Sequence, residues 1–215
     1  FYMIVNIGAF IGPIVASLAR QHDWKYVFYI SSAVILINLV LVILFFKEPE
    51  REIKQNKFSQ ELKIIFKNIF EALKDMKFVV FLLIIVGFWT MYNQLFYTLP
   101  VFIDQWMDTS IVYNKLHSVC PWLAETIGTP EKTIAAEMLT NLDAMYIIIF
   151  QIAVSYVVMR LKPIHSIISG FLVATIGLFL TFSTNNPMFL FVSILIFGLG
   201  EMAGSPKITE YIGKI

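Results

Sequence analysis

Charge is scarce in this sequence. Asp, Glu, Lys and Arg make up 14% of its 215 residues, against the roughly 25% usual for a soluble domain. That shortage excludes an ordinary water-surrounded globule. Basic and acidic residues almost cancel, 16 against 15, so no field of one sign exists to capture nucleic acid. The single cysteine, Cys120, cannot close an internal disulfide. His22, His117 and His165 are scattered in or beside loops and form no metal site. A glycine-rich phosphate loop is absent, and with it nucleotide-driven pumping. Neither His-Glu-x-x-His nor Gly-x-Ser-x-Gly occurs, so no hydrolytic constellation is visible. An acidic ring or carbonyl filter of the channel type is also missing. The chain reads as a non-enzyme with no cofactor and no catalytic residues.

What is abundant is apolar: 58% of the residues, with 20 Phe. Hydrophobic runs fall at about 1–19, 26–46, 78–103, 138–159, 164–184 and 187–206. Each is long enough, at about 1.5 Å per helical residue, to cross roughly 30 Å of hydrocarbon. The expected fold class is an all-α polytopic membrane protein with six transmembrane helices in a lipid bilayer. Because Phe1 already lies inside an apolar run, the sequence reads as an interior piece of a longer chain.

The spans are joined unequally, tightly at 20–25, 160–163 and 185–186, and by long segments at 47–77 and 104–137. Lys47, Arg51, Lys54, Lys57, Lys63, Lys67, Lys74, Lys77, Arg160, Lys162, Lys207 and Lys214 fall on one side; Arg20, Lys25, Lys115 and Lys132 fall on the other. Positive charge is retained in cytoplasmic loops, so the 47–77 linker is expected to face the cytoplasm of a cell membrane. In the linker, Phe58, Leu62, Ile65, Phe66, Ile69, Phe70, Leu73 and Met76 recur at helical spacing opposite Lys63, Lys67, Glu71, Lys74 and Asp75. This predicts an amphipathic helix at the membrane surface, a connector or a regulatory contact. In the outer segment Thr129-Pro130-Glu131 has the chemistry of a helix start, predicting one long helix to about Met159.

Polar residues inside the spans point to function. Glu201 falls near mid-span in the run GLGEMAGSP. A carboxyl at that depth costs several kcal/mol unless it is paired, protonated or open to a watery cavity, and such a group can exchange a proton as its surroundings alternate. Ser205 follows one turn later on the same face. Gly200 and Gly204 suit close helix approach, and local unwinding before Pro206 would bare carbonyls to a ligand. In the first span Asn6 accompanies Gly8 and Gly12; the glycines read as packing, whereas the amide suits a helix contact or a polar solute. Gln94 occupies a similar place in the third span, near Trp89 and Tyr92, which read as packing or interface aromatics before ligand platforms. Asn141 and Asp143 sit in the outer part of the fourth span, and Gln151 with Ser155 reads as a packing hydrogen bond.

Two helices, a long basic linker with an amphipathic segment, and four further helices resemble helices five to ten of a major facilitator superfamily transporter. Within it, FYMIVNIGAF resembles the Phe-Tyr-x-x-Ile-Asn-x-Gly-Ser signature of proton-coupled oligopeptide transporters, and GEMAGSP their Gly-Glu-x-x-x-Ser-Pro. The resemblance implies a major facilitator bundle with half its helices present. Residues 1–46 would close the N-terminal bundle, 47–77 would form the linker, and 78–215 would open the C-terminal bundle. It implies that Asn6, Gln94 and Asn141 contact substrate, with Glu201 receiving a peptide's amino terminus beside Ser205. Departures fall at Leu95-Phe96 after Gln94, at Lys207 after Ser205-Pro206, and in the long outer segment. The expected activity is alternating-access symport of a di- or tripeptide with protons. Glu201 would be both solute ligand and proton carrier. A carrier for another solute, such as a drug or organic-ion exporter, and a non-transporting scaffold or sensor stay open.

Overall fold

A computed structural model describes residues 2–47 and 58–213 of the chain. Arg51, Lys54, Lys57 and Lys214 of the basic count therefore lie outside the described residues, as does the side chain of Phe58. The described residues are almost entirely helical. Inside hydrocarbon nothing but the chain itself can satisfy a backbone N–H or C=O, and the helix does so locally.

The helices are α1 (Tyr2–Arg20), α2 (Trp24–Phe45), α3 (Phe58–Lys74), α4 (Met76–Trp106), α5 (Ser110–Val119), α6 (Pro121–Ile127), α7 (Ala136–Thr140), α8 (Leu142–Val158), α9 (Pro163–Thr181) and α10 (Leu190–Ile212). A single 3₁₀ turn at Pro187–Phe189 leads into α10, capped by Asn186, whose Oδ1 accepts from Met188 N at 3.0 Å. Six helical stretches are long and apolar enough to cross a membrane: Tyr2–Arg20, Trp24–Phe45, Met76–Trp106, Ala136–Val158, Pro163–Thr181 and Pro187–Ile212. These match the six hydrophobic runs.

The chain forms two compact units. One holds residues 25–90: α2, α3 and the first half of α4. In it α3 is amphipathic, as its spacing predicts, and its Ile65, Phe66, Ile69 and Phe70 are exposed. Asp75 ends α3 and starts α4, with Oδ1 accepting from Lys77 N at 2.9 Å. α2 buries none of its residues, a helix apolar on every face.

The other unit holds residues 1–24 and 91–215. α10 packs on α9 and α8, and α1 packs on α7 and α8. The α9–α10 seam is set by missing side chains. A Cβ on Gly170 would stand 2.6 Å from the Gly200 carbonyl oxygen, and one on Gly177 or Gly200 would collide with the backbone of Phe197 or Ala174. Gly200 thus does admit a close neighbour, α9. Phe197, Ile194 and Leu190 of α10 and Ile167 and Ala174 of α9 are fully buried along this seam.

One expectation for the outer segment is corrected here. The segment carries α5 and α6, and Tyr113 lies against Gly128 so tightly that no Cβ would fit there. Asp108 Oδ1 accepts from Ser110 N at 3.0 Å at the start of α5. The Ser110 hydroxyl and N–H together hold the Asp108 carboxyl below its ordinary value.

A helix does not begin at Thr129. Its N–H donates to the Thr133 carbonyl at 2.9 Å, and the two threonine hydroxyls bond at 2.7 Å. With Lys132 in the left-handed region at φ 58°, this closes a turn instead. The hydroxyl that would have capped a helix is used across the turn, so the helix starts at Ala136, is interrupted at Asn141 and continues as α8.

Candidate functional site

Glu201 stands at the midpoint of α10 and is 1% exposed. α10 stays helical through Ser205 and Pro206 up to Ile212, so the local unwinding expected there does not occur. Pro206 still lacks the N–H that would bond the carbonyl four residues earlier. The carboxyl of Glu201 meets groups from three other helices. From α1 the Tyr2 hydroxyl donates to Glu201 Oε1. From α4 the Tyr92 hydroxyl faces the same carboxyl, and its ring stacks on Phe197 with centroids 5.8 Å apart. From α8 comes Asp143, a second carboxyl, 2% exposed.

A gap on α10 makes room for Asp143. Gly198 lies one turn before Glu201, and a Cβ there would come 3.0 Å from Asp143 Oδ1. Any larger residue would press on that carboxyl. Three buried oxygens in this cluster have no hydrogen-bond partner: Asp143 Oδ1, Glu201 Oε2 and Ser205 Oγ. Ser205 sits beside Tyr2. An unpaired buried polar atom costs about 1–3 kcal/mol, so three of them together are a costly arrangement for the protein alone.

The other expected site residues flank this centre. Asn6, one turn after Tyr2, is buried, and its Nδ2 donates to the Tyr2 carbonyl at 3.0 Å. Asn141 is also buried, and its Nδ2 donates to the Phe10 carbonyl of α1 at 2.8 Å, at the α7–α8 break. Gln94, two residues beyond Tyr92, accepts from the Thr98 hydroxyl at 2.5 Å. Gln151 donates to Ser155 at 2.9 Å, the packing bond its spacing suggests. A Cβ on Gly8 or Gly12 would meet nothing within 4 Å, so the glycine pair of α1 has no neighbour against it among the described residues.

Sequence reasoning does not single out Tyr2, and it favours packing over a ligand platform for Tyr92. The signal for Tyr2 was present: it lies four residues before Asn6, on the same helical face. That its hydroxyl meets Glu201, 199 positions away, is a tertiary fact. No group of three or more His, Cys, Asp or Glu able to hold a metal ion occurs among the described residues.

A second polar region lies between the ends of α1, α4 and α7. Arg20 pairs with Glu137 and faces Asp104, at the edge of a cavity of about 340 Å³ that Asp108, Thr109 and Thr133 also line.

Compared with known proteins, the chain matches the family model described as Major Facilitator Superfamily over residues 1–215. No curated protein and no solved structure matches it.

Proposed function

The chain belongs to the Major Facilitator Superfamily of secondary transporters, multi-pass membrane proteins that carry small molecules across a bilayer, and from that premise we propose that it serves proton-coupled symport of di- and tripeptides. The observation that carries this reading is Glu201: a carboxyl at the middle of a membrane-length helix, buried, with one oxygen bonded to Tyr2 of α1 and the other unpaired. An ammonium group is the natural partner for that free oxygen, because a charge-assisted bond is shorter and stronger than a neutral one.

A peptide backbone would find its remaining partners around this point. Asn6 and Ser205 stand next to Tyr2 on α1 and α10. Asn141 keeps its amide oxygen for a solute, its N–H₂ being engaged on Phe10. Gln94 lies two residues beyond Tyr92 on α4. Glu201 can carry a proton as well as meet an ammonium group, which gives the cluster a means of linking the proton to the solute.

In alternating access, two bundles rock around a site near the bilayer midplane. Residues 1–46 and 78–215 supply parts of the two bundles, and the 47–77 linker lies on the cytoplasmic side of the cell membrane. A cationic organic solute is the second reading, favoured by Asp143, which adds a second carboxyl to the same pocket.

The test is uptake of labelled dipeptide by the full-length protein in liposomes under an inward proton gradient. Gradient-dependent accumulation, lost in Glu201→Gln, is expected. Absence of gradient-dependent uptake overturns peptide symport. Accumulation untouched by Glu201→Gln removes the role given to that residue.

A further inference from the structure

Asp143 and Glu201 come from different helices, and both are at least nine-tenths buried. The gap at Gly198 lets Asp143 reach α10 one turn from Glu201. Each carboxyl keeps one oxygen without a hydrogen-bond partner, Oδ1 of Asp143 and Oε2 of Glu201. The buried Ser205 hydroxyl, also unpaired, stands beside Tyr2, which itself donates to Glu201.

Among the described residues, the groups around the pair supply hydroxyl donors and no positive charge. From α1 comes Tyr2, while Arg20 at the far end of that helix is paired with Glu137. From α4 comes Tyr92. On α8 the Tyr146 hydroxyl is engaged with the Phe191 carbonyl at 2.9 Å. On α9 His165 lies in the first turn, nine residues before Ala174, which packs against Gly200. On α10 Lys207 is paired with Glu210 at 2.6 Å.

Two buried carboxylates side by side with no cation repel each other strongly, and a proton held between them removes that repulsion while satisfying an unpaired oxygen on each side. We propose that Asp143 and Glu201 hold one proton between them as a carboxylic acid–carboxylate pair, which makes Asp143 a second proton-coupling residue. The inference rests on the proton-coupled reading of Glu201 and extends it.

The step balances simply. In the loaded state the O–H of one carboxyl donates to the other carboxylate. When the site opens to water on the releasing side, that O–H bond breaks and the proton passes to water. The two carboxylates left behind carry one more negative charge than before, and the next proton removes it and restores the acid–carboxylate pair. A shared proton also explains the tyrosines: their hydroxyls donate to the carboxylate member of the pair and hold it in place.

The experiment uses the full-length protein in lipid vesicles and two independent readouts. The first is infrared difference spectroscopy of the carboxylic acid C=O stretch during a pH titration, in H₂O and D₂O. The second is labelled dipeptide movement, measured both as gradient-driven accumulation and as counterflow exchange.

The expected result is one proton-sensitive C=O band that is displaced or lost in Asp143→Asn and in Glu201→Gln alike. In Asp143→Asn, accumulation is expected to fall at least tenfold more than counterflow does, a split that simple misfolding does not produce. The wild-type band, measured without any substitution, keeps the test valid if a variant folds poorly. Two independent bands, no band, or a band and an accumulation ratio unaffected by Asp143→Asn would overturn the shared proton while leaving dipeptide symport intact. A single band sensitive to both residues, with no dipeptide uptake by the wild type, would uphold the pair and overturn the peptide reading.

Discussion

Asn141 Nδ2 donates to the carbonyl oxygen of Phe10 at 2.8 Å, and so ties the break between α7 and α8 to the middle of α1. The bond joins the first helix of the chain to a segment 131 residues away. It sits two residues from Asp143, so it also fixes the register in which that carboxyl approaches α10. Asn141→Ala should remove about 1 kcal/mol of stability, read as a lower melting temperature in detergent or nanodiscs. An unchanged melting temperature with a raised KM would assign Asn141 to solute contact alone.

Arg20 pairs with Glu137 and also faces Asp104 at the rim of the polar cavity. Both partners are about one-third exposed, 39% and 34%, so the pair contributes only about 0–1 kcal/mol to stability. Its effect should appear in the transport cycle instead. Arg20→Glu places three acids together and should lower the uptake rate several-fold, and the Arg20→Glu/Glu137→Arg exchange should restore most of it. Equal rates in the wild type and the single variant would show that this pair does not bear on the cycle.

The α9–α10 seam leaves no space for a methyl group at Gly200, whereas Gly8 of α1 faces open space. Overpacking of a tight seam costs about 1–3 kcal/mol. Gly200→Ala should therefore lower the melting temperature and the yield of folded protein, and Gly8→Ala should change neither. Size-exclusion profiles and thermal unfolding of the two variants check this. A destabilised Gly8→Ala would mean that a helix does pack on that face of α1.

The Tyr2 hydroxyl is the hydrogen-bond donor to Glu201 Oε1. Loss of a bond to a charged group costs about 1.5–3 kcal/mol, so Tyr2→Phe should slow proton-driven uptake by at least about tenfold with little change in expression. Uptake kinetics at saturating solute give the comparison. A rate within twofold of the wild type would remove Tyr2 from the site.

Much of this architecture was legible before any coordinates. Each apolar run long enough to span hydrocarbon became a helix, and the linker's 3.6-residue spacing became α3, because hydrophobic length and periodicity are properties of contiguous residues. Glu201 stood out for the same reason: its cost depends on depth along one helix. The outer segment misled because Thr129 has the chemistry of an N-cap, and which group its hydroxyl bonds is decided by the turn at Lys132 and Thr133. The glycine motifs divided in the same way. Gly200 meets α9 and Gly8 meets nothing among the described residues, although both pairs share one spacing.

The sequence by itself therefore determined the solvent, the number and length of the spans, and the presence of an acid that hydrocarbon does not tolerate alone. Only the tertiary structure decided what surrounds that acid. Tyr2, Tyr92 and Asp143 lie 199, 109 and 58 positions from Glu201, and helix packing brings them to one point through the glycine seam and the gap at Gly198. Partition of an apolar helix into the bilayer is set by its own composition. A polar cluster exists only where separate helices meet, and the energy that places them is spread over contacts that no local stretch of sequence contains.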